Sequence, residues 1–580
     1  MNTPKSQSGL LRALSLQLTL LALVAALLTL LVQVPKEVSP LNLQLRLMNF
    51  LPLFVAALLL YGLLGRLWTS VGLLVMCSVL LRHLHVQKME VLEAPLMAGD
   101  MALAGQTLVS PDLALEYLGL NVAVGLVFVL LVLMVLGWRE VVKVSIAQRA
   151  MLFLCPLLLV FVALAPLQSL YAGVKSRPWI PDPSLQHMGV LAFMIRDYID
   201  TSVAQTPKAD MRVLEEFRRQ HPLPDPIASS IKPDVVLYLS ESFFSPGILR
   251  GVQKCQHIPN YCQLAARFDQ GGLLVPTYGG QTIRTEFEIL TGVPMAEVPG
   301  HPLPYMSLTN TPVNSIAWEL KSLGYETAAI HNHKRGFWRR PVALKNLGFD
   351  YWAGKEDFSE SAREGYYTAD RYLTDEILRF LGESESSSPQ FLFAISMQAH
   401  GPHGGQKSLP VERMAEIEVP ARLGAEAELM LQQYLYHLRD VDDELLRLWQ
   451  FISERPQPTI LLYFGDHLPA MGKVFRQLKF RDGLKPRAQA TPYLLAANYE
   501  LKRGPSPQGN IASWQLPTLL LNAMGAGGEN AFSRFDQIFE MKSWSPDVLA
   551  ACTDEACEAL RNFQYLQLQG PLATGLQDDG

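Results

Sequence analysis

Ile460-Leu-Leu-Tyr-Phe-Gly-Asp-His467 decides how the second half of the chain is read. Its apolar run has the length of a buried strand, and a glycine then permits a sharp turn before a carboxylate and an imidazole. An Asp-His pair at a strand end suits a divalent cation, although alone it is also a common surface feature. The arrangement recurs along the chain. Glu241 follows Val235–Leu239, His331 follows Thr327–Ile330, and His400 follows Phe391–Ser396. Leu273–Val275 and Tyr493–Ala497 read as further strands, and helical patterns separate them at Thr311–Gly324 and Glu426–Ile452. Such alternation predicts an α/β domain with a mostly parallel central sheet covered by helices on both faces. Ligands in open sheets of this kind bind beyond the carboxyl ends of the strands, where four separate loops here deliver ligand-type residues.

Each of those residues also has a plainer reading. Glu241 in Ser240-Glu241-Ser242 is a second carboxylate for a cation, or an acid favoured by a helix dipole. Thr282 lies in Tyr278-Gly-Gly-Gln-Thr-Ile-Arg-Thr-Glu-Phe287, just before an expected helix. A hydroxyl there, beside a divalent cation, becomes a nucleophile; otherwise it is an N-cap, with Thr285 or Glu286 assisting. His331-Asn-His-Lys-Arg-Gly-Phe-Trp338-Arg-Arg340 is rich in donors. Arg340 can bind a phosphoryl oxygen in a forked geometry and Trp338 can wall a headgroup pocket, or the segment is a basic surface loop. His400, in Gln398-Ala-His-Gly-Pro-His403, can donate to a leaving oxygen. Spacing alone does not separate it from His403.

At 580 residues, more than one domain is expected. A formal net charge of −5 leaves no basic footprint for nucleic acid. The apolar excess lies before about residue 172, in runs near 9–33, 46–64, 67–82, 117–138 and 148–172, read as five membrane-spanning helices. Lys5, Arg12, Arg66, Arg139, Lys143 and Arg149 fall on one side of these spans, whereas the loops 34–45 and 83–116 are acid-rich. Positive loops stay inside, so the N-terminus is expected in the cytoplasm and the region after 172 outside. No Asp, Glu or Lys lies well inside the spans, which argues for an anchor rather than a conduction path. The expected organisation is a transmembrane domain (1–172), a juxtamembrane linker (173–232) with an amphipathic helix at His187–Ile199, a catalytic domain (233–545) and a C-terminal extension (546–580) with a disordered tail. Cys77 and Cys155 lie in apolar runs. Cys255/Cys262 and Cys552/Cys557 read as two local disulfides formed in an oxidising compartment.

Taken jointly, these clusters resemble the alkaline-phosphatase-like, sulfatase-type superfamily, and within it the membrane-anchored lipoteichoic acid synthase family of phosphoglycerol transferases. The resemblance spans about residues 1–540. It implies one manganese ion, with zinc or magnesium as alternatives, on Glu241, Thr282, Asp466 and His467. It also implies a substrate pocket of His331, Trp338, Arg340 and His400, keeping the family's His-to-Phe-Trp-x-Arg spacing. By that resemblance Thr282 attacks the headgroup phosphorus of a phospholipid, with phosphatidylglycerol the preferred donor. A phospho-threonine intermediate then passes the group to an envelope or periplasmic glycan. Phosphoethanolamine transferases and hydrolytic sulfatases or phosphodiesterases share the fold, but the Cys/Ser-x-Pro-x-Arg motif of true sulfatases is absent. The paired cysteines depart from Gram-positive members and point to a Gram-negative inner membrane facing the periplasm.

Overall fold

In the computed structural model the chain forms two compact units, Met1–Ala204 and Gln205–Gly580. The division falls inside the stretch expected to link them. The structure describes residues 7–33, 43–101, 120–139, 144–162, 169–171, 188–221, 231–382, 388–405, 408–501, 509–525 and 546–571. The tail expected to be disordered lies outside them from residue 572.

In the first unit the helices Gln7–Leu28 and Leu43–Leu64 run through Leu- and Ala-rich sequence, and Leu67–Leu92 is Leu- and Val-rich up to Arg82 and polar after it. Three segments, Leu14–Val32, Leu43–Leu64 and Leu67–Leu92, are long and apolar enough to cross a membrane. The fourth and fifth expected spans coincide with two further helices, Leu120–Arg139 and Ile146–Val162, whose apolar stretches, Val124–Arg139 and Ile146–Val162, are shorter. Phe128, Leu131, Leu158 and Phe161 lie exposed on those two helices. The amphipathic helix forms at Val190–Ser202 rather than His187–Ile199. Its start is set by Asn49, whose Oδ1 accepts from Ala192 N at 3.2 Å while its Nδ2 donates to Met188 O at 2.7 Å. Gly189, at φ 90°, is needed there because a Cβ would stand 2.6 Å from Asn49 Oδ1.

The second unit is built on an eight-stranded sheet. In chain order its strands are β1 (Asp234–Ser240), β2 (Asp269–Leu274), β3 (Glu326–His331), β4 (Tyr351–Ala353), β7 (Gln390–Ile395), β8 (Thr459–Gly465), β9 (Thr491–Ala497) and β10 (Ile511–Ala512). A separate two-stranded ribbon joins β5 (Arg363–Glu364) to β6 (Tyr367–Thr368). The spatial order is β10-β2-β9-β8-β1-β7-β3-β4, and β9 alone runs against the others. Every residue of β1, β7 and β8 is buried, which is why they read as continuous apolar runs. Side chains alternate between two cores: Val235, Leu237 and Leu239 enter one, Val236 and Tyr238 the other. The long helix Ala425–Glu454 covers the second.

Some boundaries differ from expectation. The helix expected from Thr311 starts at Ile316, because Ser315 caps it by accepting from Ala317 N and Trp318 N. Val313 N and Asn314 N are drawn off instead to Asn346 O and Gln567 O. Strand β2 is longer than Leu273–Val275, extending back through Gly271-Gly272, where the Tyr493 ring lies so close that a Cβ on Gly271 would meet it at 2.7 Å. The helix Glu555–Gln567 places Cys557, Leu560 and Phe563 in the same core as Leu214 and Phe217 of helix Met211–Gln220.

Candidate active site

The four adjacent strands β8, β1, β7 and β3 end on one edge of the sheet, and each hands its next residues to the same place. Gly465 closes β8, where a Cβ would meet Phe243 O at 2.0 Å. Only glycine allows the loops after β8 and β1 to approach this closely. Ser242, in left-handed conformation at φ 55°, then presents its N–H to Asp466 Oδ1 at 2.8 Å. Its hydroxyl donates to Glu241 Oε1 at 2.8 Å, and Glu241 N donates to Ser396 Oγ at 2.9 Å.

Glu241, Asp466 and His467 thus offer ligand atoms all within 4.8 Å of one another, and all three are buried. Thr282 joins them. It precedes helix Ile283–Thr291 but makes no side-chain cap; its Oγ1 lies 3.1 Å from Glu241 Oε2 and donates to it. The capping role open in the sequence is therefore not the one taken. The approach to Thr282 is tightly bent, with Gly279 at φ 74°, Gly280 at 151° and Gln281 at 64°. Four of the seven non-glycine residues with positive φ, namely Ser242, Gln281, Trp338 and Arg339, flank site residues among those described. Backbone held in this region costs about 1–3 kcal/mol each and is tolerated where surrounding structure imposes it.

The donor set fits a divalent cation on electrostatic grounds. His467 Nδ1 faces Leu468 O at 3.1 Å, so the neutral ring carries its proton there and turns the bare Nε2 lone pair inward. That lone pair stands 3.2 Å from Asp466 Oδ2 and 3.4 Å from Glu241 Oε1, three electron-rich atoms without a proton between them. Asp466 Oδ2 and His467 Nε2 have no hydrogen-bond partner. Burial pushes the Asp466 carboxyl up to about 7 and raises that of Glu241, with the neighbouring Asp466 adding to the latter, while burial lowers His467. A bound dication would answer all three. Two carboxylates, an imidazole and a hydroxyl suit manganese, zinc or magnesium. Purified protein is accordingly expected to carry about one divalent ion. Prolonged chelation should abolish turnover and lower the melting temperature, and manganese, zinc or magnesium added back singly should rank the metals by recovery. Full activity in metal-free protein would refute this assignment.

The other expected residues border the same edge. His331 ends β3 with Nδ1 donating to Ile395 O at 2.8 Å, leaving Nε2 buried without a partner. Burial first, then the Arg340 charge, keeps it well below the usual histidine range. His333 stacks edge-on with His331, Phe337 and Tyr367, and is held neutral by burial and by Arg340. Arg340 is buried, and its Nη2 meets Glu286 Oε1 at 2.5 Å with Nε at 3.4 Å from Oε2. Tyr305 OH donates to Glu286 Oε2 at 2.9 Å, while Arg340 Nη1 has no partner. Trp338 is half-buried against the first core, beside Phe337.

His400 and His403 are now separable. His400 bears electrostatically on Glu241, Asp466, His467 and His331, whereas His403 is buried against Tyr434 and His437. His400 Nδ1 donates to Gly401 O at 2.7 Å and Tyr367 OH lies 3.3 Å away, an arrangement that leaves Nε2 for a substrate. Tyr305, His333 and Tyr367 were not singled out from sequence, and Glu286 was read there only as assisting a helix cap. Glu286 had a usable signal, since one helical turn after Thr282 it shares that residue's face. Tyr305 and Tyr367 had none.

A family model described as Sulfatase matches residues 233–526, just over half of the chain. The chain belongs to the sulfatase family. The matched region opens beside β1 and contains every site residue named above. A putative cyclic beta-1,2-glucan modification protein of Rhizobium meliloti (strain 1021) is 28% identical over 463 residues, covering 77% of this chain and 70% of its own length. Among solved structures, the lipooligosaccharide phosphoethanolamine transferase A (EptA) of Neisseria meningitidis, an integral membrane protein, aligns over 87% of this chain and 95% of its own at TM-score 0.50 and 12% identity. The phosphoglycerol transferase GacH of Streptococcus pyogenes, in complex with sn-glycerol-1-phosphate, covers 62% of this chain and 94% of its own at TM-score 0.48 and 19% identity. At these identities the structural likenesses concern the fold of this sulfatase-family chain.

Proposed function

We propose that the chain is a membrane-anchored phosphoglycerol transferase that moves the headgroup of phosphatidylglycerol to a periplasmic or envelope glycan. The observation that carries this reading is the Thr282 hydroxyl, released from helix capping and directed at Glu241 beside Asp466 and His467. A divalent ion held by Glu241, Thr282, Asp466 and His467 supplies charge that eases loss of the threonine proton and offsets developing phosphoryl charge. Thr282 Oγ1 passes its proton to Glu241 Oε2 and attacks the donor phosphorus, and the bond to the diacylglycerol oxygen breaks. His400, entering as the imidazolium, delivers the Nε2 proton to that leaving oxygen and recovers one from the acceptor hydroxyl in the second step. Arg340, through its unpartnered Nη1, would hold a phosphoryl oxygen of the phospho-threonine intermediate, and His331, Trp338 and Tyr367 would enclose the glycerol end. An acceptor hydroxyl then displaces Thr282, giving up its proton as the threonine oxygen recovers one. The glucan-modifying relative supports a glycan acceptor. Five spans, a cytoplasmic N-terminus and a periplasmic catalytic unit complete the proposal, supported by the disulfides Cys255–Cys262 and Cys552–Cys557.

The fold likeness to a phosphoethanolamine transferase over most of the chain favours one rival donor, phosphatidylethanolamine. Full-length protein in detergent, given each lipid labelled in its headgroup with and without periplasmic glucan, tests both. Label on glucan from phosphatidylglycerol, with a glycerol-phosphate adduct on Thr282 by mass spectrometry, is the expected result. An ethanolamine-phosphate adduct would overturn the donor. Free glycerol phosphate released equally with and without glucan would overturn transfer in favour of hydrolysis.

A further inference from the structure

The loops that carry Glu241 and Asp466-His467 meet again beyond the site, where Leu249 and Phe480 form an antiparallel bridge. Three guanidiniums gather around that bridge, and backbone carbonyls hold them. Arg250 Nε donates to Phe480 O at 3.3 Å. Arg422 Nη2 donates to Arg250 O at 2.6 Å and to Leu478 O at 3.3 Å. Arg481 donates from Nε to Gly247 O at 2.8 Å and from Nη2 to Val252 O at 2.9 Å. Among the described residues none of the three pairs with a carboxylate, and two further exposed cations lie on the same segments: Lys479, whose carbonyl accepts from Arg250 N, and Lys254, whose backbone packs against Gly247. Glu426 is paired with Lys473, whereas Asp482 and Glu418 meet only the neutral donors Leu484 N, Gln489 and Gln256, so these two carboxylates offset part of the cationic charge and leave it in excess. Carbonyls orient a guanidinium without cancelling its charge, so like charges stand together in a chain whose net charge is −5. Further along the same segment Arg487 lies 4.8 Å over the ring of Tyr278, on the loop leading to Thr282. The basic residues therefore stand mainly on the two segments that follow Glu241 and Asp466-His467, with Arg422 added from the segment before helix Ala425–Glu454.

We propose that this guanidinium knot docks the acceptor, as a glycan already bearing phosphodiester-linked substituents. The inference rests on the transfer reading above. Each transferred phosphoglycerol leaves one negative charge on the glycan, so acceptors become polyanions as they are modified, and guanidinium forks match phosphate oxygens. The knot thereby retains partly substituted acceptors and favours repeated modification of one molecule.

The test uses the full chain in detergent with labelled cyclic glucan, either unsubstituted or carrying phosphoglycerol groups, and no lipid donor. The Arg250→Gln/Arg422→Gln variant is expected to bind the substituted glucan about tenfold more weakly at low salt, with the unsubstituted glucan unaffected. Raised salt should erase the difference, because exposed charges are screened beyond ~10 Å at 0.1 M. Lys254→Glu, at an exposed side chain with no hydrogen bond or ion pair among the described residues, should show the same selectivity, with thermal unfolding confirming an intact fold. In the transfer assay the effect should appear in KM for substituted glucan, not in kcat. Equal weakening for both glucans, or none, would overturn the proposal. So would unchanged glucan binding with lost sedimentation on phosphatidylglycerol vesicles, which would assign the knot to the membrane. Binding is read without donor, so failure of the transfer reading leaves this outcome separately visible.

Discussion

Thr282→Ala should abolish headgroup transfer, lowering kcat on the order of 10⁴-fold or more, while the protein remains folded. The fold should survive because the Thr282 side chain does not cap its helix and its hydrogen bonding is confined to the carboxylates of Glu241 and Asp466. Losing a hydrogen bond to a carboxylate is worth about 1.5–3 kcal/mol. Thr282→Ser keeps a hydroxyl at the same place and should retain measurable turnover. The check pairs labelled-headgroup transfer with thermal unfolding of the full chain. A Thr282→Ala protein that melts normally and still transfers would eliminate the covalent route and leave direct attack by the acceptor.

Removing Glu286 should produce the other large effect, by a different physical route. Arg340 is buried, and its charge is met by Glu286, itself oriented by Tyr305. Stripping one partner from a buried pair typically costs about 3–5 kcal/mol, because the remaining charge stays desolvated and unmatched. Glu286→Ala is thus expected to lower stability by that order. Glu286→Gln, which keeps the shape and loses the charge, should fold better and still lower kcat about 10²–10³-fold, since Arg340 would no longer be held toward the phosphoryl oxygens. If Glu286 acts through Arg340, Glu286→Gln added to Arg340→Gln should cost little more than Arg340→Gln alone. Additive losses would show instead that Glu286 has its own role. Wild-type kcat in Glu286→Gln would remove the positioning argument.

The strands that build the site were legible because each is a continuous apolar run ending at a polar residue. Val235–Leu239, Thr327–Ile330, Phe391–Ser396 and Ile460–Phe464 all fall on β1, β3, β7 and β8 within a residue at each end. Strands β4 and β10 were missed because three and two residues are too few to show a period. Gly271 and Gly272 hid most of β2, since their fitness for a strand comes from distant neighbours, Tyr493 against Gly271 and Asn510 against Gly272. The helix at Ile316 began late because a serine cap outweighed a proline that suits a first turn equally well elsewhere.

The sequence by itself determined the α/β alternation, the apolar N-terminal helices, the paired cysteines and the positions where Glu241, Thr282, His331, His400 and Asp466-His467 interrupt it. Those are local properties: hydrophobic period, turn residues and chemical type are all written within a few neighbouring positions. Tertiary structure alone decided that Thr282 addresses Glu241 rather than its own helix, that His400 and not His403 faces the carboxylates, and that Arg340 is held by Glu286. Those pairings join residues tens to hundreds of positions apart. They follow from strand order and register, and from one glycine at 465 that lets two loops touch, none of which has a signature along the chain.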